Sequence, residues 1–144
     1  MSNYKVLFVD DEPEWCSLLH EALCEGFQVV VKNSADDAIA YVNDHLDIEG
    51  IVMDVMMPSP GGADDQTNHG LETGIFLIEQ FREYILANKC PVIVVTNRDL
   101  DLIEQRLRAI GLPNDLMKFR SKSDFSRKPI LLAVLLKQLI DSNR

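Results

Sequence analysis

Cysteine is scarce in this chain. Cys16, Cys24 and Cys90 are three in 144 residues, an odd number with no CxxC spacing, which argues against a disulfide framework and against a zinc site and leaves reduced, partly buried thiols. Basic charge is also short: 14 Lys and Arg stand against 23 Asp and Glu, for a net charge of -9. Direct binding to nucleic acid or to an anionic membrane needs a surplus of Lys and Arg, so a protein partner or a cation fits better. No apolar run approaches a membrane span, and MSNYKVLFVD has no long apolar core behind a basic region. Neither an anchor nor a signal peptide is expected, and a cytoplasmic location follows by default. Histidine is sparse too: His20, His45 and His69 share no metal-ligand spacing, and only His69, within a loop, is a remote candidate for a modulating role. With seven Gly, six Pro, 47% hydrophobic and 26% charged residues, the chain is neither fibrous nor disordered, and its length suits one domain that buries its own core.

What is present alternates between apolar runs and helical patterns. KVLFVD reads as a strand, and residues 12–25 place Trp15, Leu18, Leu19, Ala22 and Leu23 on one helical face, with Pro13 tolerated in the first turn. FQVVV is a second strand; Ser34 can then cap a helix that carries Ile39, Tyr41 and Val42. GIVMDV is a third strand, followed by a helix over residues 74–86 with Ile75, Leu77, Ile78, Phe81 and Ile85 as its stripe. PVIVVT is the fourth, followed by a helix over residues 100–110 that Gly111 and Pro113 stop. A weaker fifth strand spans residues 116–121, and residues 126–140 read as the last helix. Strands that are solid apolar runs suit a parallel sheet covered on both faces, so five βα units predict a doubly wound α/β fold.

In such sheets ligands bind beyond the carboxyl ends of the strands, at the switch in strand order. Asp10 and Asp11 end the first strand, Asp54 the third and Thr96 the fourth, while Lys122 follows the fifth. Three carboxylates converging there repel one another and raise each other's pKa unless a cation is bound. A small hard cation, Mg²⁺ before others, relieves that repulsion. One oxygen of Asp54 then remains as a nucleophile for a phosphoryl group, with Lys122 and Thr96 placed to neutralise and hydrogen-bond its oxygens. Taken singly, the Asp pair is equally well read as helix N-terminal charge and Thr96 as a helix cap; their joint occurrence at one edge favours a site.

VLFVDDEP, IVMDVMMP and PVIVVTN in this order, with a lysine after the fifth strand, resemble the response-regulator receiver domains of two-component signalling over nearly the whole chain. The resemblance implies a flavodoxin-like (βα)5 fold with strand order 2-1-3-4-5. It implies that Asp54 is the phosphoacceptor, that Asp10, Asp11, Asp54 and the backbone carbonyl of Met56 hold Mg²⁺, and that Thr96 and Phe119 form the switch pair. A sensor histidine kinase or phosphotransfer protein, or a small phosphodonor, is the implied donor. A protein target, or a second copy of the chain, is the implied reader of the face formed by the fourth helix, fifth strand and fifth helix. The chain would then be a switch, catalysing only its own phosphorylation and slow dephosphorylation. Among Lys118, Lys122 and Lys128, Lys122 is chosen because an aromatic, Phe119, precedes it by three residues. Ser123 stands after it, where most receivers have Pro.

A second departure is SPGGADDQTNHGLET, residues 59–73, between Asp54 and the third helix. Rich in Gly, Asp, Asn and Pro, it is either a lid over the site or an inert surface loop. PILLAVLLKQLI is apolar on nearly all sides, so the last helix is either deeply buried or a protein contact. The expected organisation is one receiver domain over residues 1–144 with no output domain. Other readings are a receiver-like binding module that acts without phosphorylation, an aspartate-nucleophile phosphatase, or a flavin protein. Met56 stands where such a phosphatase would carry its second acid, and DDEPEW stands where a flavin would need a Ser/Thr/Gly-rich loop.

Overall fold

The β-branched and aromatic runs become five strands: β1 (Tyr4–Val9), β2 (Phe27–Lys32), β3 (Gly50–Met53), β4 (Val92–Thr96) and β5 (Met117–Ser121). In the computed structural model, which describes residues 3–62, 67, 70, 72–97 and 100–144 and all their side chains but those of Pro13, Cys16, Leu100 and Leu102, they pair in parallel. Their order is β2-β1-β3-β4-β5, the expected one. The crossovers are α1 (Pro13–Cys24), α2 (Ala35–Asp44), α3 (Thr73–Asn88), α4 (Leu100–Arg108) and α5 (Ile130–Ser142). His69 lies outside the described residues.

Because successive strand side chains point to opposite faces, the sheet builds two cores. Leu7, Val9, Ile51, Met53, Val92 and Val94 pack under α2, α3 and α4, against Ala38, Val42, Leu77, Phe81, Ile85, Ile103 and Leu107. Val6, Phe8, Val52, Ile93 and Val95 pack under α1 and α5, against Leu19, Leu23, Leu132, Leu136 and Ile140. The expected stripe of α3 is buried throughout, and Ser34 caps α2 by accepting from the Asp37 N–H at 3.2 Å. In α1 one residue of the expected face turns outward: Leu18 is 39% exposed. No helix among the described residues is long and apolar enough to cross a membrane.

The last helix starts later than the sequence pattern predicts. Pro129 disfavours helical backbone at Lys128, so α5 begins at Ile130. Residues 122–124 instead form one 3₁₀ turn, closed by a capping box: Ser121 Oγ accepts from Ser123 N–H at 3.3 Å and Asp124 accepts from Ser121 N–H at 3.2 Å. That box fixes the backbone where Ser123 replaces the usual proline. α5 is buried on one face and leaves apolar side chains exposed on another. Leu132, Leu136, Leu139 and Ile140 are buried, whereas Ile130, Leu131 and Val134 are exposed.

The described end of the loop after β3 is tied back to the sheet. Gly70 C=O accepts from Met57 N–H at 3.2 Å, Thr73 Oγ1 donates to Met57 C=O at 2.7 Å, and Thr67 C=O accepts from Glu72 N–H at 2.8 Å. Thr67 and Gly70 are buried. Glu72, nearly buried, reaches Arg106 of α4 at 2.7 Å, so the loop's return is braced against that helix.

Candidate functional site

β1 is paired with both β2 and β3, so the change of strand order opens a crevice at the carboxyl ends of β1 and β3. Asp10 and Asp54, the residues that follow those two strands, both project there. Asp10 is 1% exposed and Asp54 2%, depths at which a carboxylate requires partners. Each is anchored the same way. Asp10 Oδ1 accepts from Glu12 N–H at 2.9 Å, and Asp54 Oδ1 accepts from Val55 N–H at 2.6 Å. Each then turns Oδ2 to one cation: Lys122 Nζ lies 2.8 Å from Asp54 and 3.2 Å from Asp10. Lys122, on the first residue after β5, is itself 4% exposed.

Two further side chains complete this cage, and sequence reasoning did not single out either for it. Glu12 Oε1 receives Lys122 Nζ at 2.9 Å, and the Trp15 ring lies over the same ammonium, 5.3 Å from centroid to Nζ. Trp15 Nε1 is buried with no hydrogen-bond partner among the described residues, so it is the ring face that meets the charge. Glu12 stands in plain view in DDEPEW, but strand periodicity ends at Asp10 and spacing alone does not say which later acid turns inward.

A cavity of about 640 Å³ opens beside the cage, lined by Asp11, Glu12, Asp54, Met56, Thr96 and Asn97, with Gly70 of the loop as part of its wall. The structure thus brings Asp10, Asp54 and Lys122 into contact and puts Asp11, Met56 and Thr96 on the wall beside them. Lys118 and Lys128 are not in this cage. Phe119 is elsewhere: opposite Val94 on β5, half-buried against the core beneath α2, α3 and α4. Thr96 pairs with Ser121, directly before Lys122, so a shift at either strand end is felt at the other.

The electrostatics follow from burial. Burial pushes the Asp10 carboxyl up to about 6, assisted by the Asp54 charge and opposed by the Glu12 N–H and Lys122. Asp11 is raised as well, by burial first and then by the charges of Asp54 and Glu12. Burial alone would lower Lys122, but hydrogen bonds to Asp54 and Glu12 outweigh it and the pKa is raised, so the lysine is a fixed cation at neutral pH. One lysine does not balance the carboxylates of Asp10, Asp11, Glu12 and Asp54. Asp10, Glu12 and Asp54 each offer an oxygen within 4.8 Å of the others, an all-oxygen donor set that suits a hard divalent cation. Asp11 is outside that group of three.

The raised Asp10 pKa has a measurable consequence. Between the unfolded value of 3.8 and about 6 the folded chain holds a proton that the unfolded chain has released. Stability from this group is therefore full below the first value and is lost as pH rises through the second, by at most about 3 kcal/mol. Asp10→Asn should flatten that part of the pH profile, read as melting temperature against pH with chelator present. An unchanged profile would contradict the assignment.

No protein-family profile matches the chain. Over 99 residues, 68% of its length, it is 43% identical to the transcriptional regulatory protein CpxR of Escherichia coli K12, of which the match covers 35%. The chain thus spans about a third of that relative. Its fold is similar to that of the Francisella response regulator 1452 receiver domain, with a TM-score of 0.74 at 22% identity, covering 99% of this chain and 100% of that one. It is also similar to the BeF3-activated DrrB receiver domain, with a TM-score of 0.71 at 18% identity, covering 97% and 99%. In sequence and in fold, the chain belongs to the response-regulator receiver domains of two-component systems.

Proposed function

We propose that the chain is a phosphorelay switch in which Asp54 accepts a phosphoryl group from the phosphohistidine of a sensor kinase or phosphotransfer protein, or from a small phosphodonor. The observation that carries this reading is the buried contact of Asp54 Oδ2 with Lys122 Nζ at 2.8 Å, beside a cavity of about 640 Å³ that Asp54 itself lines. A carboxylate oxygen of Asp54 attacks phosphorus in line. The P–N bond to the donor histidine breaks with its electron pair left on nitrogen, and an acyl phosphate results. Water later attacks that phosphorus and returns the carboxylate and inorganic phosphate.

Asp10, Asp11, Glu12 and Asp54, with the Met56 carbonyl, are the groups that would hold Mg²⁺, and Mg²⁺ when bound supplies charge compensation for the phosphoryl oxygens. Lys122 is already protonated and aimed at Asp54, so it is placed to neutralise the developing charge. Thr96 offers its hydroxyl from the cavity wall. Movement of Thr96 and Phe119 would then pass to the face formed by α4, β5 and α5. Away from that face, α5 exposes Ile130, Leu131 and Val134, and Ile130 and Val134 line a groove with Ala22 and Phe27 on the α1 side, an apolar surface for a target protein or for a second copy of the chain. In this reading the protein acts in the cytoplasm, and this domain makes no direct contact to nucleic acid or membrane. The DrrB relative, activated by BeF3, supports the assignment of a phosphoryl-sized group to this fold.

The test is intact mass after incubation with acetyl phosphate and Mg²⁺, beside Asp54→Ala and a chelated control. One phosphoryl adduct that needs both Asp54 and Mg²⁺ is expected. An adduct that survives Asp54→Ala would sink the assignment.

A further inference from the structure

We infer that Glu12 is a positioning residue that holds Lys122 in the cation-free site and exchanges it for the cation, a role that rests on the phosphoryl-transfer reading above. An ammonium group has three N–H donors. Lys122 has three carboxylate partners, Asp54 at 2.8 Å, Glu12 at 2.9 Å and Asp10 at 3.2 Å, so each donor is already committed. A phosphoryl oxygen beside Asp54 can receive Lys122 only if one partner lets go.

Exposure identifies which one. Asp10 and Asp54 are buried, and each has its other oxygen pinned by a backbone N–H, so neither can swing away without stranding a buried charge. The Glu12 side chain is 53% exposed, and its polar contact among the described residues is the one with Lys122 at its tip, so it can release the lysine into a solvated position. It also has somewhere to go. Its carboxylate oxygen lies within 4.8 Å of oxygens from Asp10 and Asp54, a spacing that one divalent ion can span. A single rotation of Glu12 would thus add a carboxylate to the cation and free a Lys122 donor for the phosphoryl group. Binding of the cation and readiness of the lysine become one event.

Calorimetric titration with Mg²⁺ alone tests this on the full chain, comparing wild type with Glu12→Gln, Glu12→Asp and Glu14→Gln. Glu14 is exposed in the first turn of α1 and serves as the control for charge alone. Glu12→Gln lacks the charge, and Glu12→Asp keeps the charge but lacks the reach. Both should bind Mg²⁺ about tenfold more weakly, with Glu14→Gln like wild type. Trp15, the one tryptophan in the chain, sits on the Lys122 ammonium, so its emission should change with Mg²⁺ in wild type and less in Glu12→Gln. Wild-type affinity in Glu12→Asp would reduce Glu12 to a source of charge and overturn the inference. So would wild-type affinity in Glu12→Gln, or a wild-type protein that takes up no Mg²⁺. The mass adduct reports on Asp54 and the titration on Glu12, so either can fail while the other stands.

Discussion

Lys122→Met should destabilise the cation-free protein by about 3–5 kcal/mol at neutral pH, the usual cost of removing one partner from a buried charge pair. Methionine keeps most of the unbranched stem that runs through the cage, so the change removes charge more than packing. What remains is Asp10 and Asp54, both buried, with no cation between them. Asp10 can relieve that repulsion by taking up a proton. Asp10 is already raised by burial even with the lysine present, and without the lysine that carboxyl is pushed further up. The folded variant then binds protons that the unfolded chain does not, so its stability should rise as pH falls from neutral toward 5. Mg²⁺ should restore more stability to the variant than it adds to wild type, because the ion replaces the missing charge. Urea unfolding at two pH values, with chelator and with Mg²⁺, checks all of this. A chelated variant as stable as wild type at neutral pH would mean that the lysine is not the counter-charge of these acids.

That dual duty of Lys122, as structural counter-ion and as phosphoryl ligand, was only half legible in the sequence. The strands were legible because a parallel sheet covered on both faces must be apolar at every position, which makes VLFV, IVM and VIVV unmistakable runs. For the same reason the first acid after each run marks the strand end, and the pattern alone puts Asp10 and Asp54 at one edge. Glu12 and Trp15 were not legible as site residues. They lie in the turn into α1 and in its first turn, where side-chain direction depends on the backbone of that turn and not on a repeat. Asp11, Glu12 and Glu14 look alike in sequence, yet Glu12 alone of them meets Lys122. The start of α5 was missed because the apolar and polar pattern allows a helix from residue 126. The effect of Pro129 on Lys128 is a local backbone term that such a pattern does not carry. The same periodicity points Leu18 inward, because it cannot tell the edge of an apolar stripe from its centre, and Leu18 is exposed.

Gly74→Ala should unfold much of the protein, with a loss of at least about 3 kcal/mol. A Cβ at this position would stand 2.2 Å from the Asp54 carbonyl oxygen and 2.7 Å from Val55 Cα. Both contacts are backbone, so no side-chain rotation relieves them. The crowding is built in: Gly74 N–H donates to Val55 C=O at 2.8 Å, drawing the first turn of α3 against the segment that carries the proposed phosphoacceptor. A methyl group must therefore push α3 outward or displace the backbone of Asp54, and the second choice moves a carboxylate whose contacts with Val55 N–H and Lys122 are both short. Gly26 offers the matched control, since a Cβ there meets nothing within 4 Å and Gly26→Ala should change the urea midpoint little. If Gly74→Ala folds with a wild-type midpoint and wild-type Mg²⁺ affinity, the close approach of α3 to Asp54 does not exist in solution. If it folds with a lowered midpoint and weakened Mg²⁺ binding, the helix start is part of what holds Asp54 in place. The loop of residues 59–73 is then bound by one requirement whatever else it does: it must return the chain to a residue without a side chain, beside Asp54.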